Sequence, residues 1–65
     1  MPAFKINQDF TIREDLMELI DAYNKEQKSI KIMFIKQQNH KATYKAEPAE
    51  IFRFLIKSSE LSADV

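Results

Sequence analysis

Along the first 27 residues, the spacing of apolar positions changes from that of a strand to that of a helix. Apolar and polar side chains alternate over residues 4–10, which predicts a half-buried strand. An apolar stripe at i, i+4, i+7, i+8 and i+11 follows and predicts a helix from about Ile12 to Gln27. Residues 11–14 read Thr-Ile-Arg-Glu, the pattern of a capping box, so we expect Thr11 to cap this helix.

Two further alternating runs flank a short polar segment and predict a β-hairpin. The first strand is expected over Ser29 to Lys36 and the second over Lys41 to Ala46. The loop between them would be Gln37 to His40, in which Asn39 can adopt a positive φ because the chain contains no glycine. Alternation assigns opposite faces of the first strand to two sets of residues. These are Ile30, Ile32 and Phe34 on one face, and Lys31, Met33 and Ile35 on the other.

A second helix is predicted from Pro48, which is favoured at a first helical position because its missing N–H costs nothing there. Its apolar residues wrap more than one face of the helix, and residues 58–65 are expected to be a frayed tail. The resulting order β-α-β-β-α predicts one α+β domain over residues 1–65. We expect an antiparallel-leaning sheet with a central hairpin that two helices pack against.

Composition excludes several kinds of site. The chain has 65 residues, no cysteine and a single histidine, His40, so it cannot form disulfides and offers too few ligands for a structural zinc site. The absence of glycine excludes glycine-rich phosphate-binding loops. His40 is interpreted as an exposed turn residue, because no nucleophile or orienting acid stands in a recognisable context. We therefore expect no catalytic residue, no metal and no cofactor.

The supply of apolar residues exceeds what so small a domain can bury. Hydrophobic residues make up 45% of the chain, and a core of this size rarely supplies more than about 3–5 kcal/mol. A sheet with two helices on one face would leave an apolar patch, which on a small protein usually marks an interface. The candidate protein-interface residues are Met33, Ile35, Phe52 and Phe54. This excess predicts a homodimer.

Charge is segregated although the net charge is zero. Residues 28–45 contain five lysines and no acidic residue, whereas the segments on both sides are net negative. Our first interpretation is a solvated edge that discourages aggregation between sheets. The alternatives are a surface that docks a protein partner and a ribbon that binds nucleic-acid phosphates. In that last alternative the contacts would come from Lys31, Lys36, Lys41 and Lys45.

These features together predict a small non-enzymatic interaction protein that inhibits or regulates another protein by binding it. The alternative is a small nucleic-acid-binding regulator that uses the basic hairpin at residues 28–45. We expect a cytoplasmic protein, since no signal peptide or membrane-spanning segment is recognisable. The many Lys, Ile and Asn residues have AT-rich codons, which favours an origin in a low-GC bacterial genome, a phage or a mobile element.

Overall fold

A computed structural model describes the backbone of residues 6–62 and the side chains of residues 6–60. The predicted α+β class and the order β-α-β-β-α are confirmed. The elements are β1 (Gln8–Arg13), α1 (Met17–Gln27), β2 (Met33–Gln38), β3 (Lys41–Ala46) and α2 (Pro48–Ser62). A single turn of 3₁₀ helix, Glu14–Leu16, leads from β1 into α1.

The three strands form one antiparallel sheet in the order β1-β3-β2. The hairpin strands β2 and β3 are neighbours, and β1 pairs with the other side of β3. Because both outer strands are antiparallel to β3, they run parallel to each other. The chain must therefore cross back between them, and α1 makes this connection. Both β1 and β2 are edges of the described sheet.

Both helices pack against the same face of the sheet. The core is formed by buried side chains from α1, α2 and β3 and from the segment before β2. They are Ile20, Tyr23, Ile32, Ala42, Tyr44, Ala46 and Phe54. The ring of Phe54 lies 5.9 Å from that of Tyr23 in an edge-to-face arrangement and 6.5 Å from that of Phe10 in β1. Consequently α2 packs towards the β1 side of the sheet.

The predicted capping box is wrong. Thr11 lies inside β1, directly opposite Thr43 of β3, and their hydroxyl oxygens are 3.2 Å apart. The strand continues to Arg13, and regular α-helix begins only at Met17. Six consecutive residues of β1 pair with β3, and this pairing outweighs the one or two hydrogen bonds of a cap. The strand also begins later than expected, at Gln8, and residues 4 and 5 of the predicted strand lie outside the described residues.

The connection from α1 to β2 is longer than predicted, because β2 begins at Met33 rather than at Ser29. Lys28 ends α1 in the left-handed conformation, with φ 58° and ψ 30°. The side chain of Asn24 then holds the following segment. Its amide nitrogen donates to the carbonyl of Ile32 at 2.9 Å, and its amide oxygen accepts from the backbone N–H groups of Lys31 and Ile32 at 2.9 and 3.0 Å. These three hydrogen bonds fix the segment before β2 and place Ile32 in the core.

The other two boundaries also differ from the predictions. The hairpin turn consists of Asn39 and His40 alone, since β2 extends to Gln38. Their φ angles are 54° and 63°, which confirms the positive φ predicted for Asn39 and matches the requirement of a two-residue hairpin turn. Helix α2 continues to Ser62, so residues 58–62 are helical rather than a frayed tail. Residues 63–65 lie outside the described part of the chain.

Candidate interaction surfaces

The outer face of the sheet, opposite the helices, is polar and mainly basic. Cross-strand partners share a face, so the register arranges nine residues in three rows of three. The rows are Arg13, Lys41 and Gln38; Thr11, Thr43 and Lys36; and Asp9, Lys45 and Met33. Thr43 in the centre is half-buried, and the other eight are exposed. The outer face thus presents four cations, one acid and one large apolar side chain.

A β-bulge puts Lys36 on this face. The register shifts between Phe34, opposite Tyr44, and Lys36, opposite Thr43, so Ile35 is the extra residue. Strict alternation would have placed Lys36 on the same face as Phe34, towards the helices. The bulge therefore brings Lys36 together with Lys41 and Lys45, which the sequence pattern could not predict.

Lys31 does not join the other three predicted lysines, because it precedes β2 and lies in the connection from α1. It lines a polar groove at one end of the molecule together with Ser29, Glu47, Glu50 and Arg53. The requirement that all four predicted lysines act from one face is therefore not met. The hydrogen bonds of the Asn24 side chain fix this connection, and they give no periodic signal in the sequence.

One of the two acidic groups of this groove, Glu50, is already engaged in structural contacts. The side chain of Glu50 is only 13% exposed, accepts a 2.5 Å hydrogen bond from the hydroxyl of Tyr23, and lies 3.3 Å from the guanidinium of Arg53. Burial and the neighbouring Glu50 carboxylate raise the pKa of Tyr23 to about 12. A phenol with that pKa stays protonated at neutral pH and donates to Glu50. The bond from Tyr23 to Glu50 ties α1 to α2.

The edge strand β2 combines exposed apolar side chains with backbone N–H and C=O groups that pair with no neighbouring strand of the described sheet on its outer side. All six of its residues are exposed, and in the described sheet it pairs with β3 alone. We call Ile30, Met33, Phe34 and Ile35 the β2-edge cluster; the last three are 41–56% exposed. Beside the cluster, a groove of about 400 Å³ opens between α1 and β2, with Asp21 and Tyr44 in its lining. Apolar side chains, a groove and unpaired backbone groups therefore meet at one edge.

Helix α2 carries a second exposed apolar set. Phe52 is 64% exposed, and Leu55 and Ile56 are half-exposed; we call these three residues the α2 stripe. Phe54, by contrast, is 3% exposed and belongs to the core. Two residues along a helix correspond to about 200° of rotation, so Phe52 and Phe54 point to opposite sides. Of the four predicted interface residues, Met33, Ile35 and Phe52 are on the surface, whereas Phe54 is not available to a partner.

The hairpin turn is fastened to the start of the 3₁₀ turn by a single carboxylate. Glu14 accepts hydrogen bonds from Gln37 at 2.7 Å and pairs with the Nδ1 atom of His40 at 2.9 Å. The backbone N–H of Glu14 also donates to the carbonyl of His40 at 3.0 Å. Hydrogen bonds from His40 and Gln37 lower the pKa of Glu14, and the bond to Glu14 raises the pKa of His40. The imidazole side chain is otherwise 90% exposed, in line with a turn residue.

Comparison with known proteins finds no matching protein family, no matching curated protein and no matching solved structure. Among the described residues, no group of three or more His, Asp or Glu side chains could hold a metal ion. Within the same part of the chain, neither helix combines the length and the apolar character needed to cross a bilayer.

Proposed function

We propose that this chain is a non-enzymatic protein-binding module that takes up an extended segment of another protein along the β2 edge. The observation that carries the proposal is the combination of an edge strand exposed over its whole length with three consecutive large apolar residues, Met33, Phe34 and Ile35. An added strand would pair with the free backbone groups of β2, and its side chains would cover the apolar ones.

The composition of the edge supports this use. Solvent-facing edge strands are usually blunted by charged residues, and here Lys31 and Lys36 stand on either side of residues 32–35, which carry no charge. Three consecutive exposed apolar residues in an edge strand are a liability unless a partner covers them. The groove between α1 and β2 would receive one side chain of the added strand, which gives selectivity beyond the backbone hydrogen bonds.

Charge defines the chemistry of the partner. Lys31 and Lys36 are the lysines next to residues 32–35, and no acid lies between them, so a segment that combines large apolar residues with Asp or Glu would be attracted to this edge. By occupying such a segment, the protein would act as an inhibitor or regulator of the partner that carries it. We also propose a cytoplasmic location, and the many Lys, Ile and Asn residues, whose codons are AT-rich, support an origin in a phage or mobile element.

The test compares two double substitutions on different surfaces. Met33→Ser with Ile35→Ser removes the apolar anchors, whereas Lys41→Glu with Lys45→Glu reverses charge on the outer face. Proteins captured by each variant and by the unchanged chain are quantified by mass spectrometry. The partner is the protein that the serine variant loses and the glutamate variant retains.

The purified partner then gives the quantitative result. Loss of two central anchors should raise the dissociation constant by at least ~30-fold, the equivalent of a single hot-spot residue. The backbone amides of β2 that do not already pair with β3, about every second one of residues 33–38, should become protected from hydrogen exchange in the complex, because strand addition pairs them. A partner whose affinity is unchanged by the serine substitutions would contradict the proposal.

Nucleic-acid binding is a second candidate function, and it is supported by the β-bulge at Ile35, which puts Lys36 on the outer face of the sheet. Lys36, Lys41 and Lys45 share the outer face with Arg13, a wider basic surface than the hairpin alone offers. Two features oppose it. Arg13 is already bonded to Asp15, and none of the nine outer-face residues is aromatic, so bases would find no stacking platform.

Salt dependence separates the two candidates. Binding to duplex DNA through the outer face would weaken with salt, with a log–log slope of about −0.9 per phosphate contacted. Lys41→Glu with Lys45→Glu would abolish that binding, and Met33→Ser with Ile35→Ser would leave it intact. This outcome is the reverse of the one expected for protein binding.

We also propose that the chain is a homodimer. Support comes from the apolar residues that remain exposed after the core is complete, on α2 as well as on β2. Self-association at micromolar concentration would be seen by analytical ultracentrifugation as twice the chain mass of 7.7 kDa.

A further inference from the structure

The α2 stripe lies on the side of α2 that faces away from α1. Two residues mark the side that faces α1: Glu50 bonds to Tyr23, and the Lys57 ammonium lies 2.6 Å from the Glu26 carboxylate. Successive helical residues are rotated by about 100°, so Phe52 lies roughly opposite the line through Glu50 and Lys57. The stripe is therefore an exposed apolar surface that the described fold does not use.

The charges beside the stripe have an unusual order. Arg53, Ile56 and Glu60 follow one another at i, i+3 and i+7, so they lie along one line of the helix surface. The arginine is nearer the N-terminus of α2, and the glutamate is in its last turn. The helix dipole favours the reverse arrangement, with acids near the N-terminus and bases near the C-terminus. Within one helix Arg53 already pairs with Glu50, at 3.3 Å, and two antiparallel helices would add a second use of the same order by matching the base of one helix to the acid of the other.

We propose that the α2 stripe is the homodimer interface, in which the α2 helices of two copies pack antiparallel about a twofold axis near Ile56. An antiparallel pair centred between residues 56 and 57 brings Arg53 level with Glu60 of the partner subunit. The same pair forms twice, on both sides of the axis. A parallel arrangement would instead set each arginine against an arginine. The charge order thus selects the antiparallel arrangement of a second copy.

The β2 edge does not suit a second copy. An antiparallel β2–β2 pair would bring Lys36 of each copy, with Lys31 just before the strand, against an edge strand that carries no acid. Like charges across an interface are disfavoured. The α2 interface leaves the β2 edge of each copy free. This inference rests on the proposed homodimer, but it does not depend on the partner proposed for β2.

The size of the stripe indicates a weak dimer. A phenylalanine side chain offers 150–250 Å², so Phe52 contributes roughly 100–160 Å² at 64% exposure. With the two half-exposed aliphatic residues, the apolar centre reaches on the order of 300 Å² per copy. A stable interface buries about 800 Å² per partner, so polar rim contacts must contribute and the dissociation constant should lie in the micromolar range.

The decisive experiment mixes two charge variants of the full chain. The Arg53→Glu variant has glutamate at both paired positions, 53 and 60. The Glu60→Arg variant has arginine at both. Each variant alone should be mainly monomeric, with a dimer dissociation constant raised at least ~10-fold, because two attractive pairs become repulsive and a combined change of about 1.4 kcal/mol is a factor of ten. Mixed in equal amounts, they should form a heterodimer, since both pairs then become attractive. Sedimentation and native mass spectrometry of the mixture detect it.

A second measurement keeps the test informative if Arg53→Glu, which also loses its contact to Glu50, fails to fold. The chain contains no cysteine, so Ile56→Cys introduces a single thiol near the proposed axis. Under mild oxidation this variant should form a covalent dimer at micromolar concentration. Phe34→Cys, a similarly exposed position on the β2 edge, is the matched control and should not.

Each result either supports or overturns the inference. Heterodimer formation by the mixture, or selective cross-linking at residue 56, supports it. A dimer that survives both charge changes, cross-links through residue 34 and dissociates in Met33→Ser with Ile35→Ser would overturn the α2 interface while leaving the homodimer in place. An unchanged chain that sediments as a monomer up to submillimolar concentration would overturn both.

Discussion

Replacing Phe54 by alanine should remove most or all of the stability of this domain. Its side chain is 3% exposed and lies between the rings of Tyr23 and Phe10, at centroid distances of 5.9 and 6.5 Å. The same change at Phe52, two residues along the same helix and 64% exposed, should have almost no effect on the monomer. The two positions form a matched pair that differs only in which side of α2 they occupy.

The magnitude follows from what the ring contributes. Full burial of a phenylalanine side chain is worth about 1.5–3 kcal/mol. The two aromatic contacts add about 0.5–1.5 kcal/mol each, and a cavity would remain, so the loss should be about 3–5 kcal/mol. A domain of 65 residues has a free energy of unfolding of roughly 3–10 kcal/mol, so Phe54→Ala should be partly or wholly unfolded at 25 °C. Phe54→Leu keeps much of the volume and should cost about 1–2 kcal/mol.

Urea denaturation followed by circular dichroism measures these differences, at protein concentrations low enough that dimerisation does not contribute. With a slope of about 1 kcal/mol per molar urea, Phe54→Leu should move the midpoint down by about 1–2 M. Phe52→Ala should move it by less than about 0.5 M, as expected for an exposed position. Equal effects at residues 52 and 54, or a larger one at 52, would refute the assignment of the two rings to opposite sides of α2.

Two further predictions concern the turn and the end of α1. Lys28→Gly should raise the free energy of unfolding by about 0.5–1 kcal/mol in urea titrations. It relieves the left-handed strain at φ 58°, although it also adds chain entropy to the unfolded state. The control Gln27→Gly lies inside the helix and should lower the free energy of unfolding. The Glu14–His40 pair should stabilise the fold fully between pH 4.5 and 6.5, the ordinary pKa values of its members. Its contribution should be lost as pH falls through the lowered pKa of Glu14 and as pH rises through the raised pKa of His40. Melting temperatures measured against pH should show both declines, and His40→Asn should remove the upper one; an unchanged upper decline in that variant would contradict the assignment.

Local pattern was enough to predict the element order and much of the core. Ile20 and Tyr23 stand on the apolar stripe of α1 and are buried, and Asn39 adopts the positive φ that a two-residue turn demands. These features depend on residues a few positions apart, whose spacing is visible in the chain itself. The predicted outward position of Met33 on the hairpin is likewise found, since it precedes the bulge.

Contacts between segments far apart in the chain decided features that the local residue pattern could not predict. The Thr-Ile-Arg-Glu sequence at residues 11–14 has a helix-capping pattern, but β3 offered Thr11 a longer run of backbone hydrogen bonds, and the strand prevailed. On α2 the apolar residues exceed one face, so the sequence could not tell that Phe54 would be buried and Phe52 exposed. That choice was made by the rings of Tyr23 and Phe10, which lie 31 and 44 positions earlier in the chain.

The candidate surfaces show the same division. Composition alone predicted a basic hairpin and surplus apolar residues. The bulge at Ile35, which moves Lys36 to the outer face, arises from the pairing of β2 with β3. The hydrogen bonds of the Asn24 side chain, which separate Lys31 from the other lysines, arise from side-chain contacts that leave no periodic signal in the sequence. An alternating pattern predicts which face of the sheet a residue occupies only while the strand pairing stays in register. One extra residue in a strand reverses the face of every residue beyond it. The sequence therefore determined which residue types each segment offers, and the tertiary structure determined which of them are exposed and which lie together.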